Sequence, residues 1–223
     1  MSPAARLRAR LHGTRPDAGM TLVELIVSIG IFTIVVSVFM AGVVIMTNST
    51  VRSDVTAQSG DSVRLVFQRL DRQIRYAESV NLPGTGASGA RYVEFRTSER
   101  SSSTGVATCT QWRWDPTAGT IAQRSWNDTA GVTAPAWSTL VTDVRPDSDT
   151  SGRPYPFEVV LAGDEHPHQQ LLLRLSIGAT DVTVDSATSF VARNSSESSL
   201  SNVDADGNGT SDTPVCLAAS GRP

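Results

Sequence analysis

The sequence predicts an α+β protein in which a long N-terminal α-helix, with a transmembrane half and an amphipathic half, packs on an antiparallel β-sheet head. Three observations carry this reading. Twenty-two consecutive residues, Leu25 to Met46, bear no charge. Further on, Val63, Val66, Phe67, Leu70, Ile74 and Ala77 recur at spacings of three and four, the pattern of one buried helix face. Beyond the breakers Pro83-Gly84 the pattern switches to a period of two in short runs, the pattern of strands.

At ~1.5 Å per residue the uncharged run reaches ~33 Å, about the thickness of a bilayer core. A secretory signal has an apolar region of only about 7–15 residues followed by a cleavage site. Here the run is longer, and the small residue that resembles a cleavage point, Gly19, lies on its N-terminal side. Residues 1–19 carry Arg6, Arg8, Arg10 and Arg15 against Asp17 alone. Basic residues beside a span stay on the cytoplasmic side, so the N-terminus is expected in the cytoplasm and everything after Met46 outside it. That position argues against a nucleic-acid patch. Glu24 is the odd residue: a charge at membrane depth is a functional candidate. The plainer reading is a first-turn carboxylate favoured by the helix dipole and wetted by headgroups.

The helix is expected to continue past the membrane. Residues 47–80 form its amphipathic part, with Asp71 and Arg75 four apart and able to pair. Continuous from Thr21 to about Ser79, it would be roughly 90 Å long. Residues 84–194 form the β-rich head, with strands at 90–97, 108–114, 120–126, 138–144, 156–162, 170–177 and 182–194. Asp115-Pro116-Thr117-Ala118-Gly119 reads as a hairpin turn between the second and third of these. Trp112, Trp114, Trp126 and Trp137 are expected to pack the sheet on the helix or to line one face of it. A ligand platform is the sharper alternative.

Residues 195–223 are rich in Ser, Asp and Gly and are expected to be a flexible tail. Two cysteines, Cys109 and Cys216, stand in what should be an oxidising compartment; a disulfide between them would tie that tail to the head, and two separate free thiols are the alternative. Asp204, Asp206, Asn208, Thr210 and Asp212, with Gly209 in the sixth place, fit the first part of a calcium loop. Val215 stands where the bidentate glutamate belongs, and no flanking helices are evident, so a solvated acidic loop competes with it. No cofactor is expected apart from this calcium.

Gly19-Met-Thr-Leu-Val-Glu24 followed by an apolar helix resembles the class III signal of type IV pilins and pseudopilins. The resemblance implies that prepilin peptidase cuts between Gly19 and Met20 and that Met20 is then N-methylated. The family most often has Phe where this chain has Met20. The new ammonium at Met20 and the Glu24 carboxylate, four residues on, would share a helix face and offset each other in lipid. The resemblance implies that the pair forms between neighbouring filament subunits. A helix such as VRLVFQRLDRQIRYAESV, a WRWD-turn hairpin and a late strand ending SFVARN are further similar to J-type minor pseudopilins and W-type minor pilins.

The expected function is therefore a minor pilin or pseudopilin. It would be a single-pass protein of the inner or cytoplasmic membrane, assembled with other pilin or pseudopilin subunits into a type IV pilus or type II secretion-like filament at the cell surface, in a priming or tip role. The alternatives are a filament-tip adhesin or DNA-binding module, and a signal-anchored enzyme. No nucleic-acid partner is expected for a head in a chain of net charge −3. No nucleophile–base set or phosphate-cradling loop is suggested by spacing, so no enzyme is expected. His166 and His168, around a proline, read as a surface feature.

Overall fold

A computed structural model describes residues 19–146, 152–179 and 182–223. The basic leader at positions 1–18 lies outside the described residues. Helix α1 runs Leu22–Ile74, and the chain divides into two units at Val51/Arg52, which are described separately.

In the first unit α1 is exposed except at half-buried Val36, and its other large apolar side chains stand in the open from Leu22 to Met46. It is long and apolar enough to cross a membrane. Its hydroxyls are turned back on the helix: Thr33 Oγ1 donates to Ile29 O at 2.8 Å, Ser37 Oγ to Thr33 O at 2.8 Å and Thr47 Oγ1 to Val43 O at 2.9 Å. These three hydroxyls are thereby satisfied without water, as lipid requires.

The second unit begins with the amphipathic part of α1. Val63, Val66, Leu70 and Ile74 are buried, as their spacing predicts, and Asp71 pairs with Arg75 on the surface. Around them lie two antiparallel sheets. The first has the order β1(Ala77–Val80)–β3(Arg91–Thr97)–β4(Thr108–Asp115)–β5(Thr120–Asn127)–β6(Ser138–Val141), with β2(Gly84–Thr85) also paired to β3. The second is β7(Phe157–Val160)–β8(Gln170–Ala179)–β9(Val182–Val191). One apolar cluster joins the helix residues to Val93, Phe95, Trp112, Trp114 and Ile121 of the first sheet and Phe157, Leu171, Leu173, Leu175 and Phe190 of the second. The β4–β5 turn forms as its residues direct: Asp115 Oδ1 accepts the amides of Thr117 and Ala118, both at 3.0 Å, and Gly119 takes φ 61°.

The structure corrects the expected boundaries in three places. Helix α1 stops at Ile74 rather than near residue 80, because Ala77–Val80 leaves it to pair with β3. Buried Gln169 takes the place of a further strand beside it, accepting from Val80 N at 2.8 Å and donating to Val80 O at 3.0 Å. The strand expected at 138–144 ends at Val141, since Asp143 adopts φ 60°, and Val144 bridges to Ile177.

The third correction concerns residues 195–223, which are not a loose tail. Ser201, Asn202, Ser211 and Val215 are buried. Val215 N donates to Asn81 Oδ1 and Asn81 Nδ2 donates to Val215 O, both at 2.8 Å. Cys216 is bridged to Cys109, a short helix α2 spans Leu217–Ser220, and Gln111 Nε2 donates to Gly221 O at 2.8 Å. Alternation along β3 to β5 places Tyr92, Glu94, Gln111, Arg113, Arg124 and Trp126 on the face away from the core. That face is polar, and the polar tail supplies its partners. Composition alone therefore misjudges the segment.

Candidate functional site

The N-terminal end of α1 concentrates the motif residues. Gly19 and Met20 precede the helix, and Thr21 caps it: Glu24 N donates to Thr21 Oγ1 at 3.3 Å and Leu25 N to Thr21 O at 3.1 Å. Thr21 and Glu24 stand three apart, the spacing of a capping box. The sequence signal Thr-x-x-Glu was available, and the role of Thr21 comes from it. Glu24 is exposed, sits in the first turn of α1 and is the only charged residue between Leu22 and Val51. The first-turn position favours a carboxylate through the helix dipole.

The expected sharing of a helix face by the Met20 amine and Glu24 concerns the cleaved chain. Met20 lies before the cap, so in the uncleaved chain it does not share a helix face with Glu24. With Thr21 in the cap position the helix begins at Leu22, two residues too late to include it. Pairing of the Met20 amine with Glu24 then requires either that cleavage lets the helix extend or that the two groups come from different subunits.

The expected calcium set is partly assembled. Carboxylate oxygens of Asp204, Asp206 and Asp212 lie within 4.8 Å of one another. They accept backbone N–H groups of their own loop: Asp204 from Asn208 and Gly209, both at 3.0 Å, and Asp212 from Ala205 at 3.1 Å. Asn208 turns its Nδ2 to Asp206 at 2.7 Å, and its Oδ1 accepts from the Thr210 amide at 2.8 Å and from the Thr210 hydroxyl. His168 Nδ1 donates to Ser195 O at 2.6 Å.

On the outer face of the first sheet, fully buried Glu94 receives a two-pronged guanidinium from Arg222, at 3.0 Å from Nε and 2.6 Å from Nη2. Asn81 Nδ2 and Gln111 Nε2 also donate to it, at 3.0 and 2.9 Å. Trp137 lies under two guanidiniums, 4.7 Å from Arg113 and 4.2 Å from Arg124. Burial lowers Arg124 below the ordinary arginine value. Of the four tryptophans, Trp112 and Trp114 belong to the core, while Trp126 faces outward opposite Cys109. Sequence reasoning did not find Glu94 or Arg222, because nothing local joins two residues this far apart in the chain.

Residues 14–40 match the prokaryotic N-terminal methylation motif. The comparisons with curated proteins and with solved structures return no match.

Proposed function

We propose that this chain is a minor pilin or pseudopilin. Prepilin peptidase cuts it between Gly19 and Met20, Met20 is N-methylated, and the subunit enters a type IV pilus or type II secretion-like filament. The observation that carries this reading is the methylation motif lying on the exposed apolar half of α1, where Glu24 is the only charge between Leu22 and Val51. A rod with that much apolar surface requires lipid or other rods around it. It passes from one to the other at little cost once its single carboxylate is offset by an amine. The narrower place, a J-type or W-type subunit priming or capping the filament, rests on the order of parts in the head.

Mass spectrometry of the protein from cells that contain prepilin peptidase tests the reading. The expected N-terminus is N-methylated Met20. A chain that keeps residues 1–19 in such cells overturns it.

A further inference from the structure

We propose that the head carries a binding pocket for a peptide carboxylate, in which Arg91 and Trp114 hold the carboxylate and a proline- and tyrosine-lined wall holds an apolar group beside it. The site lies within the second unit and does not depend on N-terminal processing.

Arg91 of β3 and Trp114 of β4 are directly opposed in the strand register, so their side chains project from the same face. Both line an open pocket of about 620 Å³ whose other walls include Pro116, Arg153, Pro154 and Tyr155. Trp114 is only 8% exposed, yet among the described residues its indole Nε1 has no hydrogen-bond acceptor, and neither has the buried Nε of Arg91. Buried N–H donors nearly always find an acceptor. Two neighbours lacking one on a single pocket wall mark the place where an acceptor is to be brought from outside.

The wall is rigid. The Trp114 ring stands edge-on to Tyr155 with centroids 5.0 Å apart. The Tyr155 hydroxyl donates to Arg145 O at 2.6 Å and accepts from Ser176 N at 3.2 Å. The Trp114 indole is therefore oriented before any ligand arrives.

The donor set selects the ligand. No acidic residue lines the pocket among the described residues, and two arginines do, so the occupant is an anion. Arg91 is lowered from the ordinary arginine value by burial and then by the positive Arg222, and a negative charge beside it acts in the opposite direction. A planar guanidinium edge together with one neutral indole N–H suits a planar, singly charged carboxylate. A nucleic-acid backbone would need cations spread along a track, whereas here they meet at one point. The prolines and Tyr155 favour a carboxylate that carries an apolar or aromatic neighbour, as in a peptide.

The test uses the full chain in detergent micelles, with tryptophan indoles labelled by ¹⁵N and the Trp114 signal assigned through Trp114→Phe. The probes are N-acetyl-phenylalanine, its amide and inorganic phosphate, at millimolar concentration. N-acetyl-phenylalanine is expected to shift the Trp114 indole signal in a saturable way, and the amide to leave it in place. Arg91→Gln, checked as folded by the unchanged signals of the other tryptophans, is expected to weaken binding at least tenfold. No shift with the carboxylate, an equal shift with the amide, or undiminished binding by Arg91→Gln overturns the proposal. A response to phosphate alone overturns the peptide assignment.

Discussion

Removing Arg222 tests whether the C-terminal segment is a structural part of the head. Glu94 is fully buried, and Arg222 is the cation that pairs with it. Truncating one partner of a buried ion pair costs about 3–5 kcal/mol, because the remaining charge is stranded. Asn81 and Gln111 continue to donate to the carboxylate. Each such bond to a charged acceptor is worth roughly 1.5–3 kcal/mol, which holds the expected loss for Arg222→Ala near the lower limit, about 3 kcal/mol. For the unit Arg52–Pro223 that corresponds to a fall in Tm of roughly 6–12 °C. All four tryptophans lie between residues 112 and 137, so their emission during urea unfolding of the micelle-bound chain reports on the head alone. The double variant Glu94→Gln/Arg222→Ala removes the stranded charge and is expected to recover at least half of the loss. A cost below about 1 kcal/mol for Arg222→Ala, or a double variant no more stable than the single one, would refute the reasoning.

Three other outcomes follow from the same geometry. Glu24→Ala is expected to insert and be cleaved normally but to be missing from sheared filaments, as judged by immunoblotting; normal incorporation would count against charge pairing in assembly. Reducing the Cys109–Cys216 bridge, which closes a separation of 107 residues, is expected to destabilise the head by roughly 2–5 kcal/mol in urea titrations with and without reductant. A Cβ on Gly84 would overlap the Arg222 guanidinium, so Gly84→Ala is expected to displace that side chain and approach the loss seen for Arg222→Ala, while adding little in the Arg222→Ala background.

The elements that were legible in the sequence are those fixed by local periodicity. The uncharged run and the spacing of Val63, Val66, Leu70 and Ile74 mark α1, and seven alternating runs mark β3 to β9, because each pattern states which side is buried. The N-terminal motif is legible for the same reason: Gly19, Met20, Thr21 and Glu24 are neighbours in the chain. What local pattern cannot convey is pairing. Ala77-Glu-Ser-Val80 continues the helical rhythm, and it becomes a strand only because β3 and Gln169 offer its backbone partners. Arg91 and Trp114 form one wall only through the β3–β4 register.

The C-terminal segment shows how far such pairing can reverse a compositional reading. A low-hydrophobicity stretch reads as disordered on the assumption that it must find its own apolar core. Here the face it covers is itself polar, so the currency is satisfied hydrogen bonds rather than buried carbon: Asn81, Glu94 and Gln111 meet Val215, Arg222 and Gly221. Outward-facing polar residues on successive strands are ordinarily read as solvated. When their number includes a glutamate and a glutamine that end up fully buried, something polar must lie over them. The cysteine pair is the one mark in the sequence that says which segment it is, since Cys109 stands on that face and Cys216 within the cover.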